Sequence, residues 1–269
     1  MLKQRVLSAL VFVPIFFGLA FLGGMVFDIF LALILSIAGF EYVRMMKHGG
    51  YQVSSFLMLS AILGLLLCQI LGAGDILIYV LVALLAVFGV YALVKYEQDD
   101  KQAFQSLALQ IFGILYIGIL GGTGIRLNHI QPNGNLWVLA SIALVWMADM
   151  GAYFIGSRFG KRLVLPKLSP KKSLEGIFGG LGFGAVSGYL IGLIVQSFMP
   201  ELTPMKGAIF GFSMGLVAFF GDALMSLLKR TMAVKDTGSI LPGHGGILDR
   251  LDSMLWAFFL GLLFATTAL

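Results

Sequence analysis

Side chains that could bind a phosphate or a metal ion are concentrated in one short stretch, residues 226–252, SLLKRTMAVKDTGSILPGHGGILDRLD. It holds four basic residues, three aspartates and a histidine, in a chain of which only 12% of residues are charged. Charged groups in or beside a bilayer are costly, so those found there usually have a functional role. These residue types suit one task, which is to hold a polyphosphate and its divalent cation at a membrane surface.

A polar helical stripe leads into this stretch. Asp222, Ser226, Lys229 and Arg230 lie at i, i+4, i+7 and i+8, which places them on one face of a helix. A lone carboxylate inside the membrane end of a helix needs a cation or a metal ion as its partner. A purely structural interpretation pairs Asp222 with Lys229 or Arg230.

The segment PGHGGILDRLD predicts a tight turn that enters a helix. Gly245 and Gly246 can direct backbone N–H groups into one concavity, which is a natural anion site. Asp249 and Asp252 are three residues apart and share a helix face, as paired ligands of Mg²⁺ or Mn²⁺ would. Two alternatives stay open: the aspartates cap the helix, and His244 either binds a phosphate or only orders the loop.

A third polar set precedes these two. In WMADMGAYFIGSRFGKR, Asp149, Tyr153 and Ser157 are spaced i, i+4 and i+8 along an otherwise apolar helix. The following loop, LSPKKSLEG, presents Lys171 and Lys172 between hydroxyl groups. Basic loops also arise from membrane topology or from attraction to anionic lipid, and that alternative stays open.

The elements that carry these residues are membrane helices. With 59% apolar residues and a mean hydropathy of +0.98, the chain cannot cover its apolar surface in water. We predict an all-α, polytopic integral membrane protein with about nine transmembrane helices of about 20 residues each. They are expected near residues 6–23, 25–43, 55–72, 75–94, 104–124, 136–157, 177–199, 205–228 and 250–268.

The loops predict the orientation. With the N-terminus in the cytoplasm, 16 of the 18 Lys and Arg residues fall on the cytoplasmic side, and the C-terminus lies outside. We expect a multi-pass protein of the cell inner (plasma) membrane with its active site facing the cytoplasm. Residues 1–130 are interpreted as an N-terminal transmembrane scaffold, in which Glu41 pairs with Arg44 at i, i+3. Residues 131–269 form the catalytic region.

The polar motifs carry a family resemblance. S-x-x-K-R-x-x-x-x-K-D followed by L-P-G-H-G-G-I-x-D-R-x-D resembles the signature of phosphatidate cytidylyltransferases, membrane enzymes that make CDP-diacylglycerol. The upstream AD-x-GAYF and SPKKS-x-EG segments extend the similarity over roughly residues 146–256. The chain departs from the common family pattern at Met150, where Thr is usual, and at Met225, where a polar residue is usual.

The resemblance implies that CTP and phosphatidate react to give CDP-diacylglycerol and pyrophosphate. The partners of the protein would be CTP, phosphatidate and the lipid bilayer, without nucleic acid. A homodimer is a further expectation that stays open. Two Mg²⁺ ions, or Mn²⁺ in their place, would neutralise the reacting phosphates. We assign the catalytic roles to Asp222, Asp249, Asp252, Lys229 and Arg230, with the three aspartates as metal ligands. We assign substrate binding to Asp149, Ser169, Lys171, Lys172, Ser226, Lys235, Asp236, His244, Gly245, Gly246 and Arg250.

Three other functions compete with this interpretation. A secondary transporter would also bury carboxylates, but no internal repeat is visible and the charge cluster is one-sided. A CDP-alcohol phosphotransferase would show a dense D-G-x-x-A-R…D-x-x-x-D pattern, which is absent from the sequence. A lipid-binding protein with an inactive site would not be expected to keep the motif intact.

Overall fold

The computed structural model of the chain describes residues 2–240 and 245–268, and this part is built from helices. Its α-helices are α1 (Leu2–Leu22), α2 (Gly24–His48), α3 (Ser55–Ile70), α4 (Leu77–Glu97), α5 (Ala103–Gly113), α6 (Thr123–Asn128), α7 (Gly134–Phe159), α8 (Leu174–Val195), α9 (Pro204–Thr231) and α10 (Leu248–Ala268). A 3-10 turn, Gly74–Ile76, precedes α4, and a π-helical segment, Ile114–Leu120, continues α5.

Within the described ranges, six helical segments are long and apolar enough to cross a membrane. They are Gly24–His48, Gly74–Glu97, Ala103–Asn128, Gly134–Phe159, Leu174–Val195 and Pro204–Thr231, with Phe12–Leu22 and Ser55–Ile70 as shorter apolar helices. Helices suit lipid because each satisfies its own backbone hydrogen bonds. The protein is therefore an all-α, multi-pass membrane protein, while nine spans and their orientation go beyond this finding.

Helix α4 shows most clearly that the helices face lipid. The segment that contains it has a mean hydropathy of 2.8, yet only 11% of its most apolar window is buried within the protein. Large apolar side chains such as Ile78, Val82 and Val90 point outward and are each 60% exposed. A soluble protein would not leave so continuous an apolar surface in water.

The described chain divides into two compact units, and the first consists of Met1–Arg126 together with Lys229–Arg250. In this unit α2 packs against α3 and α4 against α5. Tyr42 on α2 is fully buried and donates a hydrogen bond to the carbonyl oxygen of Leu109, 2.8 Å away. The same helix buries two carboxylates, Asp28 and Glu41.

The second unit consists of Leu127–Leu228 together with Leu251–Leu269, and close helix packing by glycine dominates it. One face of α8 is glycine at every fourth residue: Gly176, Gly180, Gly184, Gly188 and Gly192. A Cβ on Gly184 would overlap the carbonyl oxygen of Gly211 on α9, and a Cβ on Gly188 would overlap that of Gly207. The backbones of α8 and α9 therefore touch directly, as small residues allow in membranes.

The two units do not follow chain order. The first division falls at residues 126 and 127, close to the predicted scaffold boundary at 130. Residues 229–250, which hold much of the polar signature, belong to the same unit as the N-terminal helices. Those helices are therefore part of the surroundings of residues 229–250, which we call the signature loop.

Candidate functional site

The second unit encloses a cavity of about 650 Å³ between α7, α8, α9 and the loop that joins α7 to α8. Much of its wall is apolar or glycine. Its polar lining is Asp149, Tyr153, Ser157, Ser169, Lys171, Lys172, Ser173 and Asp222. Five of these were predicted as site residues from the sequence: Asp149, Ser169, Lys171, Lys172 and Asp222. Side chains that are up to 73 residues apart in sequence thus lie around one space.

Lys172 and Asp222 form the central ion pair of this cavity, with Nζ and Oδ2 2.7 Å apart. Lys172 also donates to the carbonyl oxygen of Phe219 at 3.3 Å, and its ammonium lies 4.8 Å from the centre of that ring. The alternative that paired Asp222 with Lys229 or Arg230 is wrong, because Lys172 occupies that place. Helical spacing alone could not indicate a partner from another element.

Two hydroxyl groups hold the carboxylates of the cavity. Ser226 donates to Asp222 Oδ1 at 3.3 Å, as their i, i+4 spacing on α9 predicts. Ser253 donates to Asp149 Oδ2 at 3.4 Å. Sequence analysis did not single out Ser253, which follows Asp252 on α10. Asp252 itself is buried, and one of its oxygens accepts the N–H of Ser253 at 2.7 Å.

The loop before α8 is held in place by hydrogen bonds to its own ends. Ser173 caps α8 by accepting the N–H of Gly176 at 3.1 Å. Glu175 accepts the N–H groups of Lys161 and Arg162 at 3.0 and 3.2 Å. These contacts close the loop on itself, so that the two lysines before Ser173 are held at the cavity.

The first unit contains a second polar set, centred on Asp249. Its Oδ1 lies 2.7 Å from Lys229 Nζ, and these side chains are only 6% and 13% exposed. Its Oδ2 accepts the N–H of Thr237 at 2.8 Å, the Thr237 hydroxyl at 3.0 Å and the N–H of Gly246 at 3.0 Å. Burial by itself raises the pKa of Asp249, but Lys229 and the two N–H donors outweigh it and leave the pKa below its ordinary value.

Two glycines shape the turn before Asp249. Gly245 has φ +83°, a conformation that favours glycine, and a Cβ on Gly246 would overlap the Thr237 hydroxyl. The sequence predicted that both glycines offer N–H groups to a phosphate. In the structure the N–H of Gly246 donates to Asp249 instead. His244 lies outside the described residues.

Four other predicted residues lie on the exposed surface: Arg230, Lys235, Asp236 and Arg250. A flexible basic side chain at the surface can reach a phosphate without a preformed cavity. The assignment of Arg230 to catalysis, and of Lys235, Asp236 and Arg250 to substrate binding, stays a prediction.

Glu41 is the residue whose environment the sequence analysis misjudged. It was interpreted as one half of an i, i+3 helix pair with Arg44. In the structure it is 1% exposed, and its Oε2 accepts the N–H of Leu248 at 2.9 Å and the Thr237 hydroxyl at 3.3 Å. The signal available in the sequence was a glutamate within an apolar helix, but its partners are about 200 residues away along the chain.

The cavity of the second unit has a donor set that fits a magnesium ion. Asp149 and Asp222 supply carboxylate oxygens, the ligands that hard divalent cations prefer. Magnesium is often held by one or two carboxylates together with water and substrate phosphates. Among residues 2–240 and 245–268 no group of three or more His, Cys, Asp or Glu side chains could hold a metal ion. The assignment of Asp222, Asp249 and Asp252 to metals therefore stays a prediction.

Comparison with known proteins shows what kind of chain builds this site. The model of the cytidylyltransferase family matches residues 3–267. The chain is 31% identical to a phosphatidate cytidylyltransferase of Bacillus subtilis, covering 98% of this chain and 99% of the relative. It is 33% identical to one of Pseudomonas aeruginosa, covering 98% of both chains. It is 30% identical to one of Synechocystis, covering 94% of this chain and 92% of the relative.

These matches span the polar motifs and the N-terminal helices alike. The resemblance drawn from residues 146–256 is thereby confirmed and extended to nearly the whole chain. The protein is a membrane-embedded nucleotidyltransferase, and it belongs to the cytidylyltransferase family.

Proposed function

We propose that this chain transfers the cytidylyl group of CTP to phosphatidate. An oxygen of the lipid phosphate forms a bond to the α-phosphorus of CTP, and the bond from that phosphorus to the oxygen bridging to the β-phosphate breaks. The products are CDP-diacylglycerol and pyrophosphate. The attacking phosphate oxygen is already ionised, so the step requires no general base.

One observation carries the proposal: near-full-length similarity to proteins named phosphatidate cytidylyltransferase, in a chain with a polar cavity among apolar helices. Both substrates are anions, so catalysis depends on positioning them and neutralising their charge. Lys171 and Lys172 at the cavity suit that task, as do Lys229 and Arg230 at the end of α9. Ser169 adds a hydroxyl donor for a phosphate oxygen.

The carboxylates have the complementary task. Asp149 and Asp222 would hold divalent cations, and Asp249 and Asp252 are further ligands suggested by the sequence motif. Such ions, when bound, stabilise the charge that develops on the attacking and leaving oxygens. Lys172 neutralises Asp222, which keeps a charged cavity compatible with its apolar surroundings.

The proposal includes the topology predicted from the loops. Nine spans with a cytoplasmic N-terminus and an external C-terminus would put the basic loops, and with them the chemistry, on the CTP side. The relatives are bacterial, which supports the inner membrane as the location. Tyr153 and Phe154 on α7 are 70% and 57% exposed, so an apolar flank adjoins the cavity where acyl chains could lie.

A direct assay tests the function. Purified protein in nanodiscs that contain phosphatidate receives Mg²⁺ and CTP labelled at the α-phosphate. Labelled CDP-diacylglycerol, together with release of one pyrophosphate per lipid, is the expected result. The same protein is also reconstituted in sealed vesicles, where uptake of labelled CTP without conversion would instead indicate a transporter. Light scattering of the nanodisc sample tests the homodimer.

A further inference from the structure

We infer that Glu41 is a positioning residue of the signature loop, acting through Thr237 on Asp249. Glu41 lies on α2, in the part of the chain that the sequence marked only as scaffold. Glu41 and the residues that it contacts, Thr237 and Leu248, belong to the first unit, as does Asp249. The inference extends the proposed function, because the reaction it serves is cytidylyl transfer.

Burying the carboxylate of Glu41 is energetically costly. Its side chain is 1% exposed, and within the described part of the chain its Oε1 is a buried oxygen without a hydrogen-bond partner. A carboxylate buried in an apolar helix is destabilising unless it gains strong partners. A residue with only a packing role would be better apolar, so the carboxylate points to a specific contact.

Glu41 contacts the beginning of α10. Its Oε2 accepts the N–H of Leu248, at the first residue of α10, at 2.9 Å. The first N–H groups of a helix have no partner within the helix, so a carboxylate there fixes where the helix begins. Glu41 thereby sets the start of the helix whose second residue is Asp249.

Glu41 and Asp249 share the hydroxyl group of Thr237. Thr237 Oγ1 lies 3.3 Å from Glu41 Oε2 and 3.0 Å from Asp249 Oδ2. A hydroxyl has one hydrogen to donate, so it serves one carboxylate at a time. The two acidic side chains are therefore coupled through Thr237, and Asp249 in turn binds Lys229 at 2.7 Å.

The backbone at Gly238 and Gly246 packs closely against the carboxylate of Glu41. A Cβ added to Gly238 would overlap Glu41 Oε1, and one added to Gly246 would lie 2.5 Å from Glu41 Oε2. Backbone from both sides of the signature turn thus lies against one carboxylate. Glu41 therefore contacts the backbone on both sides of this turn, at Gly238 and at Gly246.

The experiment compares Glu41→Ala, Glu41→Gln and the control Glu97→Ala, in an exposed position at the end of α4. Glutamine keeps an oxygen that can accept the Leu248 N–H, whereas alanine removes it. We expect Glu41→Ala to lower kcat per folded molecule by about 10-fold or more, with a smaller change in the KM for CTP. Glu41→Gln should recover most of the activity, and Glu97→Ala should match wild type.

A second readout does not depend on the reaction. Hydrogen exchange followed by mass spectrometry reports the N–H groups of Thr237, Gly246 and Leu248 in the peptide 229–250. Glu41→Ala should speed their exchange by about 10-fold while peptides of α7 and α8 stay unchanged. If wild type makes no CDP-diacylglycerol, the proposed function fails, yet this readout still tests Glu41.

The inference is overturned if Glu41→Ala keeps wild-type kcat, or if exchange in the peptide 229–250 is unaltered. It is also overturned if Glu41→Ala lowers only the yield of folded protein, and the folded fraction keeps the kcat and the hydrogen exchange of wild type. Should Glu41→Ala fail to fold, Thr237→Val takes its place, with Thr237→Ser as the variant that keeps the hydroxyl. Valine must then reproduce the loss and serine must not.

Discussion

Lys172 and Asp222 lie 2.7 Å apart, although one comes from the loop before α8 and the other from α9. The lysine ammonium also lies over the Phe219 ring and against its carbonyl oxygen, so it has three attractive neighbours. A cation held in this way is already oriented for an anionic substrate. The pair is partly exposed, at 18% and 42%, so it contributes more to the chemistry of the cavity than to folding.

Replacing Lys172 by methionine should separate these two contributions. We expect turnover with CTP and phosphatidate to fall by about 100-fold, because a charge that we propose stabilises the transition state is lost. The free energy of unfolding should change by about 1 kcal/mol or less, as is usual for a partly exposed pair. Steady-state kinetics and thermal unfolding in detergent measure the two quantities. Lys167→Met, in the same loop but not among the cavity residues, is the matched control. Equal activity of the two variants would remove Lys172 from the site.

Asp222→Asn should reveal whether the cavity holds a metal ion. Chelation with EDTA is expected to abolish activity, and added Mg²⁺ should restore it. If Asp222 is a ligand, the Mg²⁺ concentration for half-maximal activity should rise by about 10-fold or more in Asp222→Asn, because a neutral amide binds hard cations less tightly. A Mg²⁺ titration of activity gives the value. Glu201→Gln, between α8 and α9, serves as the comparison, and an identical titration curve for both variants contradicts the assignment.

Asp249→Asn should affect the loop as well as the reaction. The carboxylate of Asp249 accepts hydrogen bonds from Lys229, Thr237 and Gly246. The NH₂ group of an asparagine there would face one of these donors instead of accepting from it. We expect activity to be lost and the peptide 229–250 to exchange its N–H groups faster. The helices should keep their circular dichroism. Asp75→Asn, in the exposed turn before α4, should leave all three measurements unchanged, and wild-type turnover of Asp249→Asn would exclude a role for this carboxylate.

Gly184 and Gly182 offer a direct test of the close contact between α8 and α9. They are two residues apart on α8, but a Cβ on Gly184 would overlap Gly211, whereas nothing lies within 4 Å of a Cβ on Gly182. Gly184→Ala should destabilise the protein by about 1–3 kcal/mol through overpacking. Gly182→Ala should be neutral, or stabilising by about 1 kcal/mol from helix propensity. Thermal unfolding in one detergent measures both, and similar melting temperatures would mean that the two helices separate easily.

Much of the fold could be predicted because its signals are local or regular. The i, i+4 spacing of Asp222 and Ser226 predicted a shared helix face, and their hydrogen bond confirms it. Apolar length predicted most helices to within a few residues; for example, the predicted span 205–228 corresponds to Pro204–Thr231. The predicted span 104–124 is one long helical segment, but it includes a π-helical stretch that no apolar pattern indicates.

The parts that could not be predicted depend on contacts between distant residues. Lys172 binds Asp222 over a separation of 50 residues, and Glu41 accepts from Leu248 over 207 residues. Periodicity describes which face of a helix is polar, but it does not identify the partner of that face. Ser253 was missed for the same reason, since its partner Asp149 belongs to another helix.

The close glycine packing of α8 against α9 extends to the cavity lining, where a Cβ on Gly215 would lie 3.0 Å from the backbone of Leu181, and it limits how the cavity can adapt. Where two backbones touch, there are no rotamers to exchange, so this wall behaves as one stiff piece. If phosphatidate binds here as proposed, differences in acyl chain length and unsaturation would be accommodated on the opposite side, at outward side chains of α7 such as Tyr153. Selectivity among lipids would accordingly be decided on α7, while the α8–α9 wall stays the same for every substrate.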